Sequence, residues 1–391
     1  MSKIIALNPN RKIIPGLNIT KIVAFVALAA ALSSPVQAAD PIKIGMVAPL
    51  TGGAAETGRY QINGAKLAVA EVNKAGGILG RQIDLMIEDD QTTNPGAVLA
   101  FNKLSSDADV VAFLAPIRST QVHAIAPNVK TVGKPVAFGG TDPRLTKIDN
   151  PWLFRFRPND ELSTRALAAY GVNQLQKKKW AIVYSTDAFG STSMKLLVEA
   201  LQGLGVKSVL SQGFTTGTQD FTPVVLAVKQ SGADIIASYA TSETDQAIFA
   251  KQLRQFGVSA PVAGSASIAS ATALKLAGAD LYDSYSVSDY NAAANPEAAA
   301  FASAYKQAYG AEPDFFASWS YDAVRVLAAA ITKSGAVAPE GVRKAITELR
   351  DFKGAEGTYN FDASGEGLSG YNIVQNKQGV MTFVKRVEVT K

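Results

Sequence analysis

Residues 42–73, IKIGMVAPLTGGAAETGRYQINGAKLAVAEVN, hold Gly53, four residues, Gly58 and then the basic Arg59. This nearly spells a phosphate-binding loop, in which a lysine contacts phosphates and the next Ser or Thr reaches magnesium. Arg59 could contact a phosphate, but Tyr60 is a poor substitute for the metal-binding hydroxyl. The glycines have a plainer use in a tight turn between a strand and a helix. The dinucleotide pattern G-x-G-x-x-G is absent from this turn, so no nucleotide cofactor is expected.

Other catalytic chemistry is sparse. His123, in STQVHAIAP, is the single histidine, and there is no cysteine. A Ser-His-Asp triad would have to use His123, and no G-x-S-x-G elbow supplies its serine. It reads instead as a helical surface or packing residue. The acidic pair Asp89-Asp90 has no histidine or cysteine near it in sequence, so a metal site is not expected. The pair reads as a strand end that caps the helix beginning near Asn94-Pro95.

Binding chemistry is better represented. Three segments, PLTGGAAETG, LAPIRSTQ and FGGTDP, each put small polar residues after an apolar run. Ser119 and Thr120 stand where a helix should begin, and a helix N-terminus with a hydroxyl is an anion site. Gly139 and Gly140 would let backbone approach a ligand, and Thr141 adds a hydroxyl.

The elements that must position these residues alternate. IKIGMV, QIDLMI, DVVAFL and KPVAF are short strands apolar on both faces, as in buried parallel sheets. Ile62, Ala65, Val69 and Val72 recur at helical spacing, and AGG stops that helix. The pattern restarts near Lys177 with KKKWAIVYS, SVLSQG, DIIASYA and APVAGS as strands. Phe249, Leu253 and Phe256 form a helix face ending at Gly257, and Asp220 reads as the N-cap of the helix through FTPVVLAVKQSG. Such alternation predicts doubly wound α/β sheets. Two units follow, roughly residues 40–157 and 158–287, joined by NPWLFRFRPND. The tail has helices over 289–350, then strand-like segments, and should return to cover both units. A chain that crosses several times between two lobes makes a hinge.

The 391 residues, 47% hydrophobic and 18% charged, suffice for two domains. Residues 1–39 read as a secretory signal peptide: a basic start, the apolar core IVAFVALAAAL, and small residues in SSPVQA. Four basic residues and no acidic ones precede residue 40, so the formal charge falls from +5 to +1 once the leader is removed. That balance implies no nucleic-acid partner. An exported, periplasmic monomer is expected.

IKIGMVAPLTG, GAKLAVAEVNKAGGILGRQIDLMIEDDQTTNPGAV and KPVAFGGTDPRLT resemble the leucine/isoleucine/valine-binding family of type I periplasmic solute-binding proteins. The resemblance covers nearly all of the mature chain. It implies two doubly wound lobes joined by a three-segment hinge: residues 40–157 and 289–362 in one, 158–288 and 363–391 in the other. It implies capture of a small molecule, no catalysis, and delivery to the permease of an ABC importer in the inner membrane. It places the carboxylate-gripping serine on Ser119, beside Ile117 and Arg118, and a backbone-and-hydroxyl group on Gly139, Gly140 and Thr141. The loop residues Thr57, Gly58, Arg59 and Tyr60 fall at the cleft mouth. Phe189, Tyr239, Thr241 and Ser265 face the ligand from the second lobe, and Phe316 falls on a further aromatic.

One departure matters. Amino-acid binders of the family carry an acid near VAGSAS to pair with the ligand's ammonium, and Gly264, Ser265, Ala266 and Ser267 provide none. Either the ligand is a carboxylate without an α-amino group, such as an aromatic or keto acid, or the acid comes from elsewhere, for instance Glu243, Asp187 or Asp289. A ligand-sensing module for a membrane partner and an enzyme acting on a small acid are the rival functions.

Overall fold

A computed structural model describes residues 40–388; the expected leader, residues 1–39, lies outside the described residues. Apolar runs alternate with helices as expected. The first run of elements is β1 (Ile42–Ala48), α1 (Ala55–Lys74), β2 (Ile83–Asp89), α2 (Asn94–Ser105), β3 (Val110–Leu114), α3 (Ser119–Val132), β4 (Val136–Phe138) and β5 (Leu153–Arg155). These strands form one parallel sheet in the order β2-β1-β3-β4-β5. Every residue of β3 is buried, as a central parallel strand requires.

The second run is α4 (Asp160–Asn173), β6 (Trp180–Ser185), α5 (Ala188–Gly203), β7 (Ser208–Phe214), α6 (Thr222–Ser231), β8 (Ile235–Tyr239), α7 (Glu243–Gln255), β9 (Val262–Gly264), α8 (Ala271–Ala277) and β10 (Tyr285–Ser288). The tail comprises α9 (Pro296–Tyr309), α10 (Phe315–Ser334), α11 (Pro339–Thr347), the short β11 (Phe352–Lys353) and β12 (Thr358–Tyr359), then β13 (Gly370–Lys377) and β14 (Val380–Glu388). The second sheet runs β14-β13-β10-β9-β8-β6-β7. Its β7 to β10 are parallel, whereas β13 and β14 add on antiparallel.

The tail therefore serves both lobes. Its helices pack on the first: the Ser320 hydroxyl of α10 donates to Gln61 O of α1 at 2.6 Å, and the Tyr321 hydroxyl donates to Glu71 at 2.6 Å. Its last two strands extend the second sheet. The strand order reverses between β1 and β3 in one sheet and between β6 and β8 in the other, the places where open α/β sheets leave a crevice at their carboxyl ends.

The chain passes between the lobes three times, near residues 156–159, 289–295 and 361–369, and buried charge braces these passages. The Arg157 Nε donates to Asp289 Oδ2, and Arg155 Nε donates to Glu366 at 3.0 Å. The Tyr371 hydroxyl donates to Pro158 O at 2.5 Å, and Asn372 donates to Asp289 O at 2.8 Å.

Two local expectations change. The N-cap of α2 is Thr93, which accepts from the Gly96 N–H at 3.0 Å. Asp89 instead turns back toward β1, where its carboxylate accepts from the Leu50 and Thr51 N–H groups and the Thr51 hydroxyl. The N-cap of α6 is Phe221, one residue later than Asp220, whose carboxylate accepts from the Thr222 N–H at 2.9 Å. No helix among the described residues is long and apolar enough to cross a membrane.

Candidate functional site

A cavity enclosing about 560 Å³ of empty space, counted to its open mouth, is lined by residues that follow β3, β4, β6, β8 and β9. Of the residues expected at a ligand, Ile117, Arg118, Ser119, Thr141, Phe189, Thr241, Ser265 and Phe316 come together here.

One end of the cavity is built to hold an anion. Ser119 is the first residue of α3, whose N-cap, Arg118, makes no side-chain cap. The opening N–H groups of the helix have no partner within the helix. The Ser119 hydroxyl accepts from the Asp142 N–H at 3.2 Å, which leaves its own proton to donate. Asp142 is fixed in turn by Arg144 and by His123, whose Nε2 lies 2.9 Å from its carboxylate. Burial opposes the Asp142 charge, but hydrogen bonds from His123 and Arg144 outweigh it and hold the carboxyl well below the usual range. His123 thus braces the loop behind Ser119.

Gly139 and Gly140 do not line the cavity; they let its wall close up. A Cβ on Gly140 would fall 2.9 Å from Leu145 and 3.1 Å from the Ser119 Cα, and one on Gly139 would fall 2.8 Å from Ile117. Their carbonyls accept from buried guanidinium groups, Gly139 O from Arg157 at 3.1 Å and Gly140 O from Arg155.

Thr141 lines the cavity, but its hydroxyl donates to Asp160 Oδ2 at 2.9 Å. Burial pushes the Asp160 carboxyl up to about 7, against the hydrogen bond from Thr141. The Thr141 backbone N–H has no backbone acceptor among the described residues.

The second lobe supplies the opposing wall: Phe189 at the start of α5, Thr241 and Glu243 after β8, and Ser265 and Ser267 after β9. Tyr239 is fully buried behind Phe189, with ring centroids 6.1 Å apart, and does not reach the cavity. The loop after β9 is uncharged, yet Glu243, Asp289 and Asp160 all line the cavity. Asp187 does not; it caps α5 through the Gly190 N–H at 3.0 Å. Burial raises the carboxyls of Glu243 and Asp289, and Arg118 and Arg157 respectively oppose that rise.

Thr57, Gly58, Arg59 and Tyr60 are not among the lining residues. The Thr57 hydroxyl donates to Ala54 O at 2.8 Å. Arg59 pairs with Glu56 at 2.7 Å and lies over the Tyr60 ring. Gly58 sits inside α1, where a Cβ would fall 1.8 Å from Pro49 O.

Sequence reasoning did not place Arg157, Asp160 or Phe315 at the site. Arg157 and Asp160 sit in the first passage between lobes, and the Arg157 guanidinium lies 4.7 Å over the Phe315 ring. Paired prolines around RFRPND mark a joint; they do not say which residue 132 positions later will meet Arg157.

Several contacts join the two lobes beside the cavity, among them the Thr141–Asp160 bond. Arg144 Nη2 donates to the Thr192 hydroxyl at 3.0 Å, the Ala271 N–H donates to Asp314 Oδ2 at 3.1 Å, and Arg118 approaches Glu243 at 3.8 Å.

Two doubly wound lobes, three passages and a small-molecule cavity at their strand ends define the type I periplasmic binding fold. The chain belongs to the periplasmic binding protein family, whose model matches residues 41–379. The Leu/Ile/Val-binding protein homolog 1 of Brucella melitensis is 26% identical over 362 residues, covering 90% of this chain and 95% of its own. The Leu/Ile/Val-binding protein BraC3 of Rhizobium johnstonii is 28% identical over 342 residues, covering 85% of this chain and 90% of its own. The branched-chain amino acid transporter substrate-binding protein of Streptococcus pneumoniae, solved in complex with isoleucine, matches with a TM-score of 0.83 at 25% identity, covering 89% of this chain and 100% of that one.

Proposed function

We propose that this chain is the exported solute-binding component of an ABC importer. It captures a small carboxylate with an apolar body and presents it to an inner-membrane permease. Residues 40–157 and 289–362 act as one lobe, residues 158–288 and 363–391 as the other, and residues 1–39 as a cleaved leader to the periplasm.

One observation carries the reading. Unused donors converge at one end of the cavity: the Ser119 hydroxyl, the uncapped start of α3 and the Arg118 guanidinium. The remaining lining includes Ile117, Phe189, Val287, Phe315 and Phe316. This is the division of labour a small acid with an aliphatic or aromatic body requires. The names of the relatives, Leu/Ile/Val-binding proteins, support the same class. The first lobe takes the carboxylate, and the second closes over the body with Phe189 and Thr241. Closure is favoured only by the contacts the closed form adds.

Titration calorimetry with leucine, phenylalanine and phenylpyruvate tests this. A ligand should be found in that set, and Ser119→Ala should weaken it by about 1.5–3 kcal/mol, the worth of a hydrogen bond to a charged group. Full-strength binding by Ser119→Ala would put the ligand outside this cavity.

A further inference from the structure

Two charged side chains in the cavity are under-partnered for their chemistry. Arg118 is 13% exposed at its side chain, and a guanidinium carries five N–H donors. None of them makes a hydrogen bond to a described residue; its ion-pair partner is Glu243 Oε2, at 3.8 Å. That distance is too long for a hydrogen bond. Glu243 is 6% exposed at its side chain and accepts no hydrogen bond from another described residue. Charges withdrawn from water are stable only when paired and hydrogen-bonded.

The pair also spans the cleft. Arg118 follows β3 of the first sheet, and Glu243 opens α7 after β8 of the second. Each stands next to the point where its own strand order reverses. The other cavity carboxylates are engaged: Asp289 by Arg157 and Asp160 by Thr141.

We propose that Arg118 and Glu243 form a latch that the ligand replaces, so that the cleft selects zwitterions. The ligand's carboxylate takes Arg118, the Ser119 hydroxyl and the start of α3. Its ammonium takes Glu243. The ammonium receptor therefore sits on α7, not in the uncharged loop after β9. With the cleft empty, the same two residues meet and hold the lobes together. A 2-oxo acid brings only the anion: it draws Arg118 away and gives Glu243 no cation in its place, which leaves that carboxylate only the field of Arg157. Truncating one partner of a buried charge pair corresponds to a loss of on the order of 30-fold or more, and the missing ammonium should cost the same.

The inference rests on the cavity being the ligand site, so the experiment separates the two. Wild type, Glu243→Gln, Glu243→Asp and Ser119→Ala are titrated calorimetrically with the twenty amino acids and with phenylpyruvate and 4-methyl-2-oxopentanoate. Thermal unfolding of each ligand-free variant checks the fold. Wild type should prefer an amino acid over its 2-oxo analogue by on the order of 30-fold or more. Glu243→Gln should lose that preference and Glu243→Asp should keep part of it. Ligand-free Glu243→Gln should also scatter X-rays as a more open molecule than wild type. If wild type binds a 2-oxo acid as tightly as its amino acid, binds none of the twenty amino acids, or keeps its preference as Glu243→Gln, the latch is overturned. If Ser119→Ala weakens binding in those cases, the cavity reading survives. If Ser119→Ala changes nothing, both fall.

Discussion

The turn after β1 and the turn after β3 look alike and do opposite things. Both place small polar residues between a buried strand and a helix. After β1 the turn is closed on itself: Asp89 takes the Leu50 and Thr51 donors, Thr92 takes the Ala54 N–H at 3.2 Å, and Arg59 is taken by Glu56. After β3 the helix start has no side-chain cap, and among the described residues the Ser119 hydroxyl donates to none and Arg118 makes no hydrogen bond. The turn after β4 is intermediate, with the Thr141 hydroxyl committed to Asp160 and its backbone N–H open. A binding end is marked by donors left without acceptors, and glycine content does not distinguish it from a turn.

The largest effect should come from breaking the closed turn. Gly58→Ala puts a Cβ 1.8 Å from Pro49 O, and neither backbone can yield without moving α1. Overpacking of this kind costs about 1–3 kcal/mol, and the upper end is expected here. Denaturant unfolding measures it. Ligand affinity of the folded fraction should be unchanged, and an affinity loss without a stability loss would mean that this turn belongs to the site after all.

The intermediate turn should give an intermediate answer. Thr141→Ala removes a hydroxyl whose proton already goes to Asp160, so affinity should fall by less than in Ser119→Ala, by about 0.5–1.5 kcal/mol. An equal or larger loss would show that the ligand, and not Asp160, receives that proton. Asp160 has a signature of its own. Burial holds its carboxyl up to about 7, so between pH 4 and 7 the folded chain keeps a proton that the unfolded chain has lost. Its contribution to stability is present at the acid end and is lost as pH rises to 7. Asp314, raised to about 7, and Asp322, raised to about 6, act in the same direction. Ligand-free protein should therefore melt lower at pH 7.5 than at pH 5 as far as these groups control it, and Asp160→Asn should make that decline shallower. An unchanged slope in Asp160→Asn would show that its proton does not depend on folding.

The parts legible in the sequence were those written locally. Strands buried on both faces announce themselves as apolar runs, and a serine at a helix start after such a run marks Ser119 without reference to anything distant. Thr141 was legible as a residue but not in its bonding, because Asp160 lies nineteen residues on, in the other lobe. Gly58 shows the limit most clearly. A glycine in a string invites a turn, whereas this one is a helical residue kept small by the carbonyl of Pro49. Arg157 and Asp289 meet only because the chain crosses between lobes, and spacing in sequence says nothing of that meeting. The Glu243 carboxylate was legible only as one of several acids; its place opposite Arg118 depends on how two sheets face each other.

The smallest effect is the most discriminating. Arg59 is the residue that makes the first turn look like a phosphate loop, and it is the basic side chain nearest that motif. Its guanidinium is nearly half exposed, pairs with Glu56 one helical turn away and lies 4.8 Å over the Tyr60 ring. An exposed pair of this kind contributes about 0–0.5 kcal/mol once solvent screening is included. Arg59→Ala should therefore leave both unfolding and ligand affinity almost where they were, while Arg118→Ala, at the N-cap of the helix after β3, should weaken binding by tenfold or more, about 1.4 kcal/mol. The two variants differ in the turn that carries the arginine and in whether its donors already have acceptors. Calorimetry on both, with the same ligand, reads that difference directly. Equal losses would mean that both turns reach the ligand and that the closed state of the first turn is no barrier to its use; no loss in either would remove charge from the recognition of the carboxylate and leave it to Ser119 and the start of α3.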